Sequence, residues 1–201
     1  MFTTLVRQAG TAVRALLVFT VLLGGCYPLA VWGVGHLPGL HDHAEGSPQV
    51  VAGRVVGSEL IGIDPVPADP AHDPYFHTRP SASADGPLGP GDPATSGGSN
   101  LAADNPELLA AVQQRRTGIA AREAVAPQLV PADAVTASAS GVDAGISPAY
   151  AALQAPRVAR ETGLPVEEVH RLIAAATSGG VFAERTVAVP ALNAAVAEHR
   201  G

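Results

Sequence analysis

The sequence contains no lysine, and arginine supplies all 12 of its basic side chains. Without lysine the chain lacks the residue with which a P-loop reaches nucleotide phosphates, and it lacks the amine of a Schiff-base enzyme. The 18 acidic residues leave a net charge of −6. Nucleic acid is therefore not an expected partner, because phosphate neutralisation supplies most of that affinity. The single cysteine excludes an internal disulfide and a cysteine-based metal knuckle.

Charge and aromatic side chains are also scarce. Charged residues make up 15% of the 201 residues and aromatic residues 4%, whereas hydrophobic residues reach 47%. A disordered polyampholyte would be more charged and less apolar. The length allows one ordinary domain, or one domain and a membrane anchor.

A long uncharged stretch near the N-terminus predicts such an anchor. Residues 15–35 carry no charge and, as a helix, would cover roughly 30 Å, the thickness of a bilayer core. Arg7 and Arg14 precede this stretch, and residues 36–201 carry a net charge of −8. The positive-inside rule then predicts a short cytoplasmic N-terminus (1–14), a transmembrane helix (15–35), a spacer (36–49) and an extracytoplasmic domain (50–201).

Two other interpretations of the apolar stretch stay open at this point. Residues 15–23 have the length of the apolar region of a cleaved signal peptide. Leu23–Cys26 resembles a lipobox, which would make the chain a free-standing lipoprotein or anchored binding protein. The apolar run continues to Trp32, and neither cleaved form requires that extension.

Residues 50–201 predict a mixed α+β domain. Residues 50–63 are rich in valine and isoleucine and favour strands, whereas residues 64–100 are rich in proline, glycine and aspartate and favour a long loop. Helices are predicted after Asn105-Pro106 and after Ser147-Pro148, because each pair combines a capping side chain with a proline in the first turn. The second of these helices runs towards Gly163, with a kink at Pro156. The remaining predicted elements are a helix from Pro165 to Gly179-Gly180, a strand at 187–189 and a helix at 191–198.

Three polar motifs invite functional interpretations, each beside a simpler one. The hydroxyl-rich run 136–141 lacks a nucleophile elbow and a nearby histidine, so its hydroxyls are expected to bond backbone groups. Residues 96–100 form either an anion-binding nest or a turn whose glycines supply positive φ, and we favour the turn. His41-Asp42-His43 is a weak metal motif that a solvated spacer also explains.

Four runs of residues together resemble one family, the C subunit of the Kdp-type potassium-transporting P-type ATPase complex. They are residues 25–29, residues 75–82, residues 96–101 with Asn105-Pro106, and residues 130–143 with 146–149, Gln154 and 157–159. Their order and spacing match from the anchor to the last helix. The chain departs from the family pattern at residues 102–104 and at Ala144-Gly145, where the family has a histidine that cannot be carried over.

The resemblance implies a non-catalytic accessory subunit of an ATP-driven potassium importer in the bacterial cell membrane. Its partners would be a channel-like subunit, a P-type ATPase catalytic subunit and the bilayer. The family's C subunit assembles or stabilises the complex and acts as a catalytic chaperone that raises the ATP affinity of the hydrolysing chain. No cofactor of its own is implied, and ATP would be involved through the catalytic subunit. The family also keeps its N-terminal helix, which favours retention here.

The resemblance and the local chemistry single out two groups of candidate residues. Gln154 and Arg157 are candidate nucleotide or chaperone contacts, although the predicted topology places them outside the cell, away from cytoplasmic ATP. The simpler interpretation of Gln154 is a helix-border amide bonded to a loop carbonyl. The simpler interpretation of Arg157, together with Arg160, is a weak surface pair with Glu161. Candidate subunit contacts are Gly24, Gly25, Arg79, Ser81, Ser99 and Asn100. No catalytic and no metal residue is assigned.

Overall fold

The chain divides into two compact units, Met1–Ser47 and Pro48–Gly201. The computed structural model describes residues 2–51, 53–180 and 183–200. The first unit consists of helix α1 (Phe2–Val21), a π-helical turn (Leu22–Cys26), helix α2 (Tyr27–Gly35) and the short helix α3 (His41–Ala44). The continuous stretch Phe2–Gly35 is long and apolar enough to cross a membrane by length and composition. The helix thus begins well before the predicted span, and α3 lies inside the predicted spacer.

A proline explains why the anchor helix widens at its middle. Pro28 has no N–H for the carbonyl four residues earlier, and its ring crowds that carbonyl. The backbone N–H of Tyr27 bonds the carbonyl of Leu22, five residues back, as in a π-bulge. This wider turn lets one continuous helix pass through Gly24, Gly25 and Pro28.

The second unit opens with a hairpin. Strand β1 (Pro48–Val51) pairs antiparallel with β2 (Arg54–Ser58), with an irregular register between Gln49 and Val50. The predicted strand-rich segment 50–63 ends earlier than expected, because residues after Ser58 contribute one isolated bridge, Ile61 to Asp143. At that bridge a Cβ on Gly62 would lie in the backbone of Asp143, so the close approach requires glycine.

The described residues in the rest of the second unit form five α-helices, a 3₁₀ turn and a small sheet. They are α4 (Pro106–Glu123), a 3₁₀ turn (Pro127–Leu129), α5 (Ala132–Val135), β3 (Gly145–Ile146), α6 (Pro148–Thr162), α7 (Val166–Ala175), β4 (Thr177–Ser178), β5 (Thr186–Ala188) and α8 (Val189–His199). The antiparallel sheet has the order β3-β5-β4. The predicted α+β class, with one N-terminal apolar helix, is confirmed.

The predicted helix starts are confirmed by their capping bonds. The side chain of Asn105 accepts from the N–H of Glu107, and that of Ser147 accepts from the N–H of Tyr150. Helix α6 continues through Pro156 and ends at Gly163, which has a positive φ of 74°. Helix α7 ends earlier than predicted, since β4 lies between it and Gly179.

The core lies between α4, α6, α7, α8 and the small sheet. Its fully buried side chains include Phe76, Ile119, Tyr150, Val158, Val169, Val187 and Leu192. Phe76 comes from residues 64–100, all of which the structure describes and which form neither helix nor strand. The predicted long loop therefore sends one aromatic anchor into the core, and its neighbours are positioned by that burial.

Candidate functional site

Two side-chain amides hold the segment around Phe76 against the helices. Asn193 of α8 accepts from the N–H of Phe76 (2.8 Å) and donates to its carbonyl (2.9 Å). Gln154 of α6 does the same for His77, accepting at 2.8 Å and donating at 3.2 Å. Each amide thus replaces the backbone partner that a strand would supply, which satisfies buried peptide groups in a loop.

Gln154 is completely buried, so it is not at the border of its helix. Its bonds to the loop backbone agree with the simpler of the two interpretations offered for it. Its oxygen also accepts from Nη2 of Arg157 at 3.3 Å. A contact between Gln154 and a nucleotide stays a prediction. It would require Gln154 to give up its bonds to His77 and Arg157 for bonds to the nucleotide.

Arg157 is buried among carboxylates, and the expectation of a weak surface pair is wrong for it. Its Nε and Nη2 donate to both carboxylate oxygens of Glu123 at 2.9 and 3.2 Å. Its Nη1 donates to the carbonyl of Asp73 at 2.6 Å and lies 3.5 Å from the Asp73 carboxylate. The exposed pair with Glu161 is made by Arg160 instead. The bidentate bond between Arg157 and Glu123 fixes both the position and the orientation of the guanidinium group.

His77 lies between two buried carboxylates. Its Nδ1 is 3.1 Å from the carboxylate of Asp64, and its Nε2 is 2.6 Å from Oδ2 of Asp73. Both ring nitrogens therefore lie within hydrogen-bonding distance of a carboxylate. Three acidic side chains, Asp64, Asp73 and Glu123, lie together here with three basic ones, His77, Arg157 and Arg122.

The pKa shifts follow from this arrangement, which we call the charged cluster (Asp64, Asp73, His77, Arg122, Glu123 and Arg157). Burial opposes ionisation of Asp73, but the hydrogen bond and charge of His77 and the charge of Arg157 outweigh it and lower the pKa of Asp73. Burial raises the pKa of Tyr150 to about 12. Arg122 acts in the opposite direction and lowers this pKa, because its charge is nearby and its Nη2 donates to the tyrosine oxygen at 2.9 Å.

A cleft of about 460 Å³ gives solvent access to one side of the charged cluster. Its lining includes Asp64, Asp73, His77 and Arg122 together with several prolines. His77 already bonds Asp64 and Asp73, and Arg122 bonds Glu123 and Tyr150. The cluster therefore fastens residues 64–78 to α4 and α6.

The candidate subunit contacts fall at different depths. Arg79 is half-buried and bonds the carbonyls of Thr136 and Ala137 and the carboxylate of Asp143 at 3.2 Å. Ser81 is buried. Ser99 and Asn100 are exposed, and so are Gly24 and most of the anchor helix.

The turn at residues 96–100 does not use its glycines as predicted. The positive φ, 52°, belongs to Asn100, whereas neither Gly97 nor Gly98 has one. Gly98 instead permits close approach, because a Cβ there would lie 3.3 Å from the carbonyl oxygen of Ala139. The N–H of Gly97 donates to the carbonyl of Ser140 at 2.9 Å, so one glycine amide of the suggested nest is already bonded.

The hydroxyls of residues 136–141 bond backbone groups, as expected. Ser138 is buried, and its oxygen accepts from the N–H of Gly141 (3.0 Å) and of Asp143 (3.2 Å). His41 and His43 lie on the exposed helix α3. Among the described residues no group of three or more histidine, cysteine, aspartate or glutamate side chains is arranged so that it could hold a metal ion.

Comparison with known proteins adds evidence of descent. A family model described as KdpC, K+-transporting ATPase, c chain, matches residues 9–198. The chain is 44% identical to a protein of Kineococcus radiotolerans, with 96% of this chain and 95% of the relative covered. It is 45% identical to a protein of Mycobacterium bovis, with 94% and 97% covered. Both relatives are named Potassium-transporting ATPase KdpC subunit.

The chain belongs to the KdpC family. The resemblance carried by the four runs of residues is confirmed. In this KdpC chain, two of those runs also turn out to contact each other, since Arg79 and Pro80 of one bond Thr136, Ala137 and Ser138 of the other.

Most of the charged cluster of this KdpC chain was missed by reasoning from sequence. Asp64, Asp73, His77 and Glu123 are spread over 60 residues and carry no motif spacing. The sequence does contain one signal of burial. The segment Tyr75–Arg79 has more large side chains than a solvated, proline-rich loop usually carries.

Proposed function

We propose that the chain is an accessory subunit of a potassium-transporting ATPase complex, associated with the membrane through its N-terminal helix. The observation that carries this proposal is identity of about 45% over nearly the full length of relatives that bear the KdpC subunit name. Its partners are a channel-like potassium subunit and a P-type catalytic subunit, as the family resemblance implies.

The proposed orientation places the N-terminus in the cytoplasm and Pro48–Gly201 outside. Support comes from charge: Arg7 and Arg14 precede the apolar stretch, and the residues after it carry a net charge of −8. The outward-facing domain would cap the channel-like subunit. The test uses a variant in which Cys26 is replaced by serine and a single cysteine is introduced at exposed Asp104. A cysteine-reactive, membrane-impermeant reagent should label it in intact spheroplasts, and labelling only in permeabilised cells would indicate the opposite orientation.

The anchor is proposed to bind another transmembrane helix through Gly24 and Gly25. Gly24 is exposed and Gly25 is partly exposed, and the position of a Cβ on either has no other atom within 4 Å, so a neighbouring backbone can come close. Gly25→Leu should therefore lower recovery of the complex in co-purification with the transport subunits. Gly10→Leu, at an equally open position in α1, is the matched control. Equal recovery of the complex with both variants would contradict a helix–helix contact at Gly25.

The effect on ATP use is proposed to pass through the catalytic subunit rather than through a bound nucleotide. Gln154 and Arg157, the candidate nucleotide contacts, are buried and bonded to the loop and to Glu123. Gln154 and Asn193 hold adjacent residues of one segment by the same pair of bonds, so they form a matched pair. If both only hold the loop, Gln154→Ala and Asn193→Ala should change the KM for ATP of the complex alike. A rise in KM for ATP confined to Gln154→Ala would instead support a direct contact between Gln154 and the nucleotide.

ATPase and potassium-uptake assays of the complex with and without this chain test the proposal as a whole. Loss of uptake at limiting potassium is expected when the chain is omitted, and again when Ser99 and Asn100 are both replaced by glycine. Unchanged uptake in both cases would contradict an accessory role. The mass of the mature N-terminus tests the lipoprotein alternative, since a start at diacylated Cys26 would exclude a retained anchor.

A further inference from the structure

Arg115 is a buried arginine without a counter-ion. It lies on α4 and is 7% exposed. Its Nε donates to the carbonyl of Pro87 at 3.4 Å and its Nη1 to the carbonyl of Val135 at 3.3 Å. Within residues 2–51, 53–180 and 183–200 it forms no ion pair, and burial alone lowers its pKa. A buried charge without an opposite charge is costly, so this guanidinium is an unusual feature.

The unbonded part of the guanidinium reaches a cavity. An arginine has five N–H donors, and the two bonds to carbonyls leave three of them without an acceptor among the described residues. Among the described residues, no fully buried side-chain nitrogen lacks a hydrogen-bond partner. Because Nη2 of Arg115 has no partner, it is not fully buried and retains solvent access. Arg115 lines a cavity of about 600 Å³, which supplies that access.

The cavity wall offers further polar groups suited to an oxyanion. Ser81, Ser99 and Gln114 line it, and the backbone of Gly86 and Gly98 contributes to it. No hydrogen bond of the Ser99 or Gln114 side chain to a described residue is formed, so both are available to a ligand. Asp85 also lines the cavity and is exposed at its rim. One arginine beside one carboxylate favours a singly charged anion over a doubly charged phosphate.

We propose that this cavity is a binding site for a carboxylate group, held by the terminal nitrogens of Arg115 with Ser99 and Gln114. A guanidinium binds a carboxylate by two parallel hydrogen bonds, and the buried setting strengthens them. The carboxylate comes either from a free small anion or from an acidic side chain of a partner subunit. This inference goes beyond the proposed accessory role, since it assigns a site with its own ligand chemistry.

Acetate is the probe, titrated at constant ionic strength into the full chain in detergent, with arginine side chains labelled with ¹⁵N. The Nε–H signal of Arg115 should shift and saturate, whereas that of Arg116 should not. Arg116 is the matched control, because it neighbours Arg115 on α4 and is exposed. Phosphate should bind more weakly than acetate. Parallel, non-saturating shifts of both arginines would overturn the proposal.

Two variants keep the test independent of folding. Arg115→Lys retains the positive charge but loses the planar pair of donors, so acetate affinity should fall about tenfold or more. An unchanged affinity in this variant would contradict the assigned geometry. Asp85→Asn tests whether the carboxylate of Asp85 itself occupies the site. If acetate binds only after this change, Asp85 fills the site in the unaltered chain and the proposal is wrong.

Co-purification of the complex distinguishes the two sources of the carboxylate. If an acidic side chain of a partner subunit occupies the cavity, Arg115→Lys should lower recovery of the complex about tenfold, while Arg116→Lys leaves it unchanged. If the ligand is a free anion, recovery stays the same and acetate binding alone is lost. Failure of the unaltered chain to co-purify would contradict the accessory role and leave the acetate result as it stands.

Discussion

Arg157 and Arg115 are both buried arginines on helices of the same unit, 4% and 7% exposed, yet their surroundings differ. Arg157 bonds both oxygens of Glu123 and lies beside Asp73, so its charge is balanced within the chain. Arg115 bonds two backbone carbonyls and faces a cavity. The contrast indicates that the first arginine serves folding, since all its partners are internal, whereas the second is left to bind something from outside.

The largest expected effect comes from breaking the balanced cluster. Arg157→Met leaves the buried carboxylates of the cluster with one basic side chain too few, since Glu123 keeps Arg122 and Asp73 keeps His77, so the free energy of unfolding should fall by about 3–5 kcal/mol. Urea-induced unfolding of the full chain in detergent measures it. Arg160→Met is the control, because its pair with Glu161 is exposed and should matter little. A loss for Arg157→Met no greater than the control's would mean that the cluster does not stabilise the fold.

A smaller effect is expected at the unbalanced arginine. Arg115→Met removes two long hydrogen bonds to carbonyls but also removes a buried charge that has no counter-ion, so the loss should stay below about 2 kcal/mol. The same urea titration, with Arg116→Met as control, measures it. If this variant lost as much stability as Arg157→Met, the two arginines would have the same structural role.

The smallest expected effect is a difference in acid sensitivity. Because the pKa of Asp73 is lowered in the folded chain, Asp73 contributes stability that is complete above the ordinary aspartate value of about 3.9. That stability is lost as pH falls through the lower folded-state pKa. Asp73→Asn should therefore flatten the fall of unfolding free energy with acid, whereas Arg115→Met should keep the slope of the unaltered chain.

Exposed Asp104 supplies the control for this pH series. Asp104→Asn should leave the acid slope unchanged, because Asp104 lies at the surface and makes no bond comparable to that of Asp73. A slope for Asp73→Asn that matches the unaltered chain would show that the bond from His77 does not hold the Asp73 carboxylate ionised.

Local signals predicted much of the fold. The uncharged N-terminal stretch, the capping pairs Asn105-Pro106 and Ser147-Pro148 and the proline-rich loop at 64–100 each appear where expected. These features depend on neighbouring residues along the chain, which a sequence displays directly. Helix ends were less accurate: α7 gives way to β4 before Gly179, because pairing of β4 with β5 competes with continuation of the helix.

The residues of the candidate site were singled out only in part. Gln154 and Arg157 were singled out through resemblance, and the structure shows them bonded to His77 and Glu123. Arg115, the basis of the proposed carboxylate site, carried no signal, because an arginine on a predicted helix looks the same whether it is paired, solvated or buried. Burial and the absence of a counter-ion are properties of distant segments brought together.

By itself the sequence determined the class of the protein: an apolar helix long enough to span a membrane, a following acidic α+β domain, and membership of a family recognisable by runs of residues spread along the chain. Tertiary structure alone decided which charges are balanced. Asp64, Asp73 and His77 meet Glu123 and Arg157 because Phe76 is buried in the core and two amides hold the loop there. Long-range packing sets the electrostatic surroundings of each charge, and no local pattern encodes that outcome.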